Sequence, residues 1–452
     1  MIRGYPVYSG FMTCIIAISL RTKQFRGMIT DQLLNKQRRT VILWYAFVFL
    51  ILSSTSEMFA QPAAWTHYSI SNSPLPDQNV HSIVFENDST AWIGTGYGLA
   101  RFDGTNWTIY NNLNSGLIGN DIRSLAIDKS GNIWVGTFNN GLNLFDGTNW
   151  TNFNTLNSPL PDDFVRSLAI DTNNTKWIGT IGGLARLDTT GTWTIYTMWN
   201  SGLGSNNIAE LFVDTTSNVK WAGTVNGGLL EIEDDTIFTK YTIQNSGISD
   251  NSILDIDRDP AGNLFLASPA NGLIIKLAGF GWFTFNPLSS SIPTAGLTSL
   301  VLDGNGDVWM GTFDKGVVRK TGNTFRVFNT TNSPLNDSAI QTVVISPTGK
   351  VFIGTQTGGM FVLDPTLLTG LEEQNPEKNK LSIHPNPTTG NFRWLYDRMP
   401  YALEVVSADG RKVTYIENPA GQIDLTGQPR GVYQLLFRFT GGEVIVQKLV
   451  LR

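Results

Sequence analysis

Ala91–Trp107 reads AWIGTGYGLARFDGTNW and Ile133–Trp150 reads IWVGTFNNGLNLFDGTNW, so one phrase recurs with its lead tryptophans 42 residues apart. The pattern W-x-G-T-x-x-G-G-L returns at Trp92–Leu99, Trp134–Leu142, Trp177–Leu184, Trp221–Leu229 and Trp309–Val317. Degraded copies stand in register at Phe265–Leu273 and Phe352–Met360. The lead aromatics follow one another at 42, 43, 44, 44, 44 and 43 residues. Seven copies at so constant a period describe a structural repeat, not a duplicated active-site loop.

Each period parses into four short strands. In the second copy they are Ile122–Asp128, Ile133–Thr137, Gly141–Asp146 and Trp150–Asn152, separated by Asn-, Asp- and Gly-containing turns. Four strands in 40–45 residues is the sequence signature of a propeller blade. The phase adds an argument for closure. Trp65-Thr66-His67-Tyr68 matches the last strand of a unit, as in Trp107-Thr108-Ile109-Tyr110, whereas the seventh copy ends at Asp364 without one. The orphan strand at the start completes the last blade and removes two free sheet edges. The expected fold is all-β: a seven-bladed β-propeller over 61–365, its four-stranded blades closed by the N-terminal strand, followed by a small immunoglobulin-like β-sandwich.

Composition agrees. Aromatic residues make up 11% and charged residues 15%, with 45 glycines, a mixture that suits short strands joined by tight turns. Val41–Leu52 is a twelve-residue apolar run preceded by Lys36, Arg38 and Arg39. It is short for a spanning helix, which needs roughly 20 apolar residues, and reads as the core of a secretory signal cleaved near Ala60. An uncleaved anchor is the alternative. A signal of ordinary length makes Met28 the start, with 1–27 an extension.

Residues 1–60 hold seven Lys/Arg and two Asp/Glu, so removing them takes the net charge from −5 to −10. An acidic chain is a poor match for nucleic acid, whose binding rests on phosphate neutralisation. The single cysteine, Cys14, also falls in the leader, leaving no disulfide partner and no thiolate chemistry.

The W-I-G-T-x-x-G-G-L phrase with its trailing F-D-G resembles the two-component regulator propeller repeat, found in sensor regions of hybrid histidine kinases and in secreted Bacteroidota proteins. The resemblance covers roughly 65–364 and weakens in copies five and seven. No kinase or receiver pattern follows the repeats, so signalling by phosphotransfer is not expected of this chain.

After Asp364 the period stops. Residues 366–380 include the charged stretch EEQNPEKNK and read as a linker. From Leu381 to Arg452, alternating runs at Ala402–Ser407, Lys412–Ile416, Gly431–Phe437 and Val444–Leu451 describe the small sandwich. Ser382-Ile383-His384-Pro385-Asn386-Pro387, Ala408-Asp409-Gly410-Arg411, Gly431-Val432-Tyr433 and the closing Gln447–Arg452 resemble the type A sorting domain of the type IX secretion system. An aromatic usually stands where this chain has His384. The resemblance implies export through the type IX machinery via 381–452, to the outer-membrane surface or the medium.

Candidate chemistry is sparse. The lead tryptophans are expected in the core. The D-x-x-G-N-x-W stretches and Asp303-Gly304-Asn305-Gly306-Asp307 read as hairpin turns, the latter lacking the later bidentate Glu of a calcium loop. His67, His81 and His384 form no H-x-H or HExxH pattern, and the acid pairs Asp162-Asp163 and Asp234-Asp235 read as solvated turns. No catalytic residue, metal ligand or cofactor is assigned.

A ligand face can still be placed. Scaffold positions repeat because every blade needs them, so positions that differ among copies are free to specialise. Those are Tyr97, Phe138, Asn139, Ile181, Asn226, Phe313, Asp314 and Lys315 in the Gly turns. His81, Arg123, Arg166, Glu210 and Asp255, at the start of the innermost strands, form an uneven charged ring at the channel mouth. The tentative ligand-binding set is Tyr97, Phe138, Asn139, Asn226, Phe313, Asp314, Lys315, Arg123 and Arg166. Three functions remain open: non-catalytic binding of a glycan polymer or protein, a polysaccharide hydrolase or lyase, and a structural or adhesive surface protein.

Overall fold

The computed structural model describes residues 64–368 and 381–452, apart from 280, 323, 385, 396–399, 408–409, 418, 420–421 and 439–443. The expected leader, Cys14 and residues 369–380 of the linker lie outside the described residues. Seven four-stranded antiparallel sheets occupy the repeat region. We number the blades by their first strands: Val80–Phe85, Ile122–Ile127, Val165–Ile170, Ile208–Val213, Asp255–Arg258, Leu297–Leu302 and Ile340–Ile345. Each first strand lies beside the next, and the last lies beside the first, which closes the ring. Blade 7 takes its fourth strand from the start of the chain. Trp65–Tyr68 runs antiparallel to Met360–Leu363, with Trp65 opposite Leu363 and Tyr68 opposite Met360.

The repeated letters explain the ring. Trp92, Trp134, Trp177, Trp221 and Trp309 are buried between blades, where a large side chain contributes roughly 1.5–3 kcal/mol. In four blades the indole N–H finds an acid six residues upstream: Trp92 donates to Glu86 (3.0 Å), Trp134 to Asp128 (3.1 Å), Trp177 to Asp171 (3.2 Å) and Trp309 to Asp303 (3.1 Å). The second oxygen of Asp128 accepts from Ser130 N and Asn132 N, so one carboxylate builds the turn and anchors the ring. The Asp303–Asp307 stretch behaves likewise: Asp303 takes the Asn305 and Asp307 amides, and Asp307 takes Arg319 and Thr321.

The glycine after each Trp-x is a packing site. A Cβ on Gly94 would stand 2.6 Å from Ile122 Cγ2, and one on Gly179 would stand 2.7 Å from Ile208 Cγ2. The following threonine closes the turn: Thr137 Oγ1 donates to Gly141 O at 2.8 Å, and five other blades repeat the bond.

Among the described residues beyond 380, a three-stranded and a four-stranded sheet form the expected sandwich. Ile383, Phe392 and Trp394 of one sheet share a core with Leu403, Val405, Leu435, Phe437 and Leu449 of the other. Its four longer strands are Ala402–Ser407, Lys412–Glu417, Gly431–Arg438 and Val444–Leu451, close to the sequence reading.

Candidate ligand-binding face

Backbone hydrogen bonds bring two sets of loops to one face. The residue after the motif threonine bonds the loop that leads into its own blade: Phe138 N donates to Asp121 O (2.9 Å), Val225 N to Asn207 O and Phe313 N to Gly296 O. The Gly closing the same turn bonds the loop leading into the next blade, as Gly141 N does to Asp163 O and Gly316 N to Ser338 O. In blades 2, 4, 6 and 7 the variable Gly turn is thereby held over the start of two innermost strands.

Those strands carry a repeated irregularity. In six blades the register against the second strand slips between the first and third residues, at Val80/Ser82, Ile122/Ser124, Val165/Ser167, Ile208/Glu210, Leu297/Ser299 and Ile340/Thr342. A β-bulge re-aims the side chain it carries. The bulged residues of blades 1 to 3 are His81, Arg123 and Arg166.

The bulges assemble one cluster. The Arg123 guanidinium lies over the Phe138 ring, 4.9 Å from its centroid, and 6.0 Å from that of Phe164. Arg166 lies 5.8 Å from the Phe164 centroid, and the two phenylalanine rings meet edge to face at 4.6 Å. Arg123 donates to Asp121 at 2.8 Å, and His81 Nε2 stands 3.6 Å from the other Asp121 oxygen. Arg166 donates to Asn207 Oδ1 at 2.8 Å. Burial, reinforced by the Arg123 charge, lowers His81 to about 4, so its imidazole is neutral at physiological pH. The arrangement offers cationic forks beside aromatic surface. Both are suited to holding a ligand, and neither is a nucleophile.

The expected charged ring divides in two. Glu210 and Asp255 stand one place further along, where the other blades carry Ser82, Ser124, Ser167, Ser299 and Thr342. That position stitches blades together: Ser167 Oγ accepts from Leu211 N (2.8 Å), Asp255 from Leu300 N (2.7 Å) and Ser299 Oγ from Val343 N (3.1 Å). The inner strand has no further strand to pair with, and these side chains satisfy its free amides. Burial, then the neighbouring Asp255, holds Glu210 well above the carboxylate range, and burial pushes Asp255 up to about 7. Glu210 and Asp255 therefore belong to the wall rather than to a rim ring.

Of the tentative set, Arg123, Arg166 and Phe138 come together. Tyr97, Asn139, Asn226, Phe313, Asp314 and Lys315 are exposed in Gly turns. Asn226 is tied to Ser252, and Asp314 pairs with Lys315 at 2.9 Å. Among the described residues no side-chain hydrogen bond, ion pair or ring contact joins any of these six to the cluster. Sequence reasoning missed Phe164. The signal was present, because the residue three places before the Ser82 position is Asn79, Asp121, Phe164, Asn207, Ser252, Gly296 or Ala339 in the seven blades, and only one of these is large and apolar. Of the acid pairs, Asp162-Asp163 and Asp234 keep to partly or fully exposed turns, and only Asp235 is corrected. Asp163 accepts from Thr155 N and Oγ1. Asp235 takes Lys220 Nζ at 2.5 Å and Arg186 Nε at 3.0 Å, which lets Lys220 lie buried over Trp177.

A family model described as a two component regulator propeller matches residues 116–139. No curated protein matches the chain. Among solved structures, the chain is similar to the extracellular domain of a hybrid two component system from B. thetaiotaomicron, at 20% identity and a TM-score of 0.60 over 87% of this chain and 57% of that one. It is also similar to PorZ, a surface component of the type-IX secretion system of Porphyromonas gingivalis, at 15% identity and a TM-score of 0.56 over 85% and 61%. The chain thus spans less than two thirds of the length of these two proteins. A virginiamycin B lyase from Staphylococcus aureus matches at 14% identity and a TM-score of 0.54, over 66% of this chain and 98% of the lyase. These likenesses establish the propeller fold.

Proposed function

We propose that this chain is a non-catalytic propeller of the cell surface or medium that binds a glycan polymer or a protein on its loop face. The observation that carries this reading is the Arg123–Phe138–Phe164–Arg166 cluster. It is assembled from positions that the other blades do not keep, on the face where the variable loops collect. Solved propellers of similar fold that are extracellular domains or surface components support the location. Among the described residues no helix is long and apolar enough to cross a membrane. Glu210 and Asp255, on the innermost strands, hold neighbouring-blade groups, which supports binding over catalysis. Residues 381–452 act as the type IX sorting signal.

The test immobilises the chain and screens glycans and surface proteins. Phe138→Ala/Phe164→Ala is expected to weaken capture at least tenfold with unchanged thermal unfolding. Release of a shortened product would favour the hydrolase or lyase reading instead, and no capture of any ligand would favour the structural or adhesive one. For export, a reporter fused to 381–452 should leave a type IX-competent cell and stay inside a type IX-deficient one. Equal export from both would refute the sorting role.

A further inference from the structure

Arg166 is a half-buried cation without a matching anion. Among the described residues its one hydrogen-bond partner is the neutral Asn207 side chain. The charges that act on it are Glu210 and Arg123, and neither lies within ion-pair distance. Burial raises the Glu210 carboxyl well above its ordinary value, which weakens it as a counter-ion, and no ion pair joins it to Arg166. Removing a charge from water without a counter-ion is costly, and proteins ordinarily pair such groups. Beside it, Arg123 spends one nitrogen on Asp121, while its Nε is buried with no partner. Both guanidinium groups flank the Phe164 ring. A planar guanidinium is matched in geometry to a carboxylate.

The surroundings narrow the class. The loops that lead into this face, Asn111–Gly119 and Asn154–Pro161, contain no charged residue. Most of their Asn and Ser side chains cap the loops' own backbone, which leaves the second lone pairs of the Ser and Thr hydroxyls and the Asn112 amide to pair with ligand hydroxyls. The Phe138–Phe164 pair offers ring faces and edges to an apolar sugar surface. Past residue 60 the chain carries a net charge of −10, which disfavours a dense polyanion and permits an isolated one.

We propose that the rim between Arg123 and Arg166 is a subsite for one carboxylate of an acidic polysaccharide, a uronic acid flanked by neutral sugars, with Arg166 as its counter-ion. This rests on the ligand-face reading above and specifies its ligand. Blades 4, 6 and 7 lack the subsite because Ala209, Thr298 and Gln341 stand at the bulge, blade 1 carries His81 there, and blade 5 has no bulge. An acidic peptide meets the charge but leaves the hydroxyl-pairing loops unused.

The test titrates the full chain with hyaluronan, gellan and glucuronoxylan, each beside its carboxyl-reduced counterpart, and with a poly-glutamate peptide. At least one acidic polymer should bind, and carboxyl reduction should weaken it at least tenfold. Arg166→Gln should cost a similar factor for the acidic form and nothing for the reduced form, while Arg166→Lys keeps part of the affinity. Phe164→Ala, judged against its melting curve, provides a second variant should Arg166→Gln fold poorly. Equal binding of acidic and reduced polymers, or an unchanged affinity in Arg166→Gln, overturns the carboxylate subsite and leaves the ligand face standing. Preferential capture of poly-glutamate overturns the sugar assignment. Binding of none of the polymers, acidic or reduced, overturns the subsite, and with no protein ligand from the wider screen the ligand face falls too.

Discussion

Val165 fills the space that a side chain on Gly136 would need: a Cβ built on that glycine meets Val165 Cγ1 at 2.6 Å. The same relation joins Gly94 to Ile122, Gly179 to Ile208, Gly311 to Ile340 and Gly354 to Val80 around the closing seam. Blade 5 departs from it. There Ala267 replaces the glycine, and the next blade opens with Leu297, unbranched at Cβ, in the same core cluster. Where it occurs, the glycine is thus set by the neighbouring blade together, at Gly136, with the hydroxyl side chain of its own inner strand, Ser124 Oγ standing closer still to the Cβ built there.

Gly136→Ala should destabilise the propeller by about 1–3 kcal/mol through overpacking, read as a lowered midpoint in chemical denaturation. Adding Val165→Ala should return part of that loss. Gly304, where an added Cβ meets nothing within 4 Å, is the control, and Gly304→Ala should stay within about 0.5 kcal/mol. Equal effects at both glycines would refute the packing argument.

Asp128→Ala should cost about 1–3 kcal/mol, because it strands the Trp134 indole N–H and two turn amides. A double-mutant cycle with Trp134→Phe should show a coupling of about 1 kcal/mol. Blade 7 already carries the paired change, Ser346 with Phe352. Strict additivity in the cycle would show that the indole bond contributes nothing.

The folded-state value of Asp255, raised from 3.8 to about 7, sets a pH dependence. Across that window the folded chain holds a proton that the unfolded chain has released. Stability from this group is full below about pH 4 and is lost as pH rises through 7. Asp255→Ser, which restores the side chain of four other blades, keeps an acceptor for Leu300 N. It should gain about 1–2 kcal/mol relative to the native chain at pH 8 and little at pH 4. A gain independent of pH would contradict the assignment.

A chain beginning at Ser69 lacks the strand that pairs with Met360–Leu363. It should melt lower and aggregate through the exposed edge, whereas one beginning at Gln61 should behave as the longer chain. Light scattering during thermal unfolding distinguishes them, and identical traces would mean that the closing strand is dispensable.

Much of this was legible before any coordinates. The 42–44-residue period marked the blades, and the unmatched Trp65–Tyr68 strand marked the closure, because blades bury themselves only against neighbours and repeat the residues that do so. The turn chemistry was legible for the same reason, as Asp, Gly and Asn act on groups within a few residues.

The site was legible only in part. Arg123, Arg166 and Phe138 stood out as departures from the repeat, but nothing in the letters joined them to Phe164 or divided His81, Arg123 and Arg166 from Glu210 and Asp255. A one-residue bulge changes which face a side chain takes, and that slip arises from pairing between strands rather than from either strand's composition. The acid of Asp235 shows the same limit: next to Asp234 it reads as a solvated turn, and only the fold brings Lys220 and Arg186 to it. Local order follows from periodic chemistry along the chain. The meeting of charges and rings at the channel mouth follows from how separate blades are held around one axis.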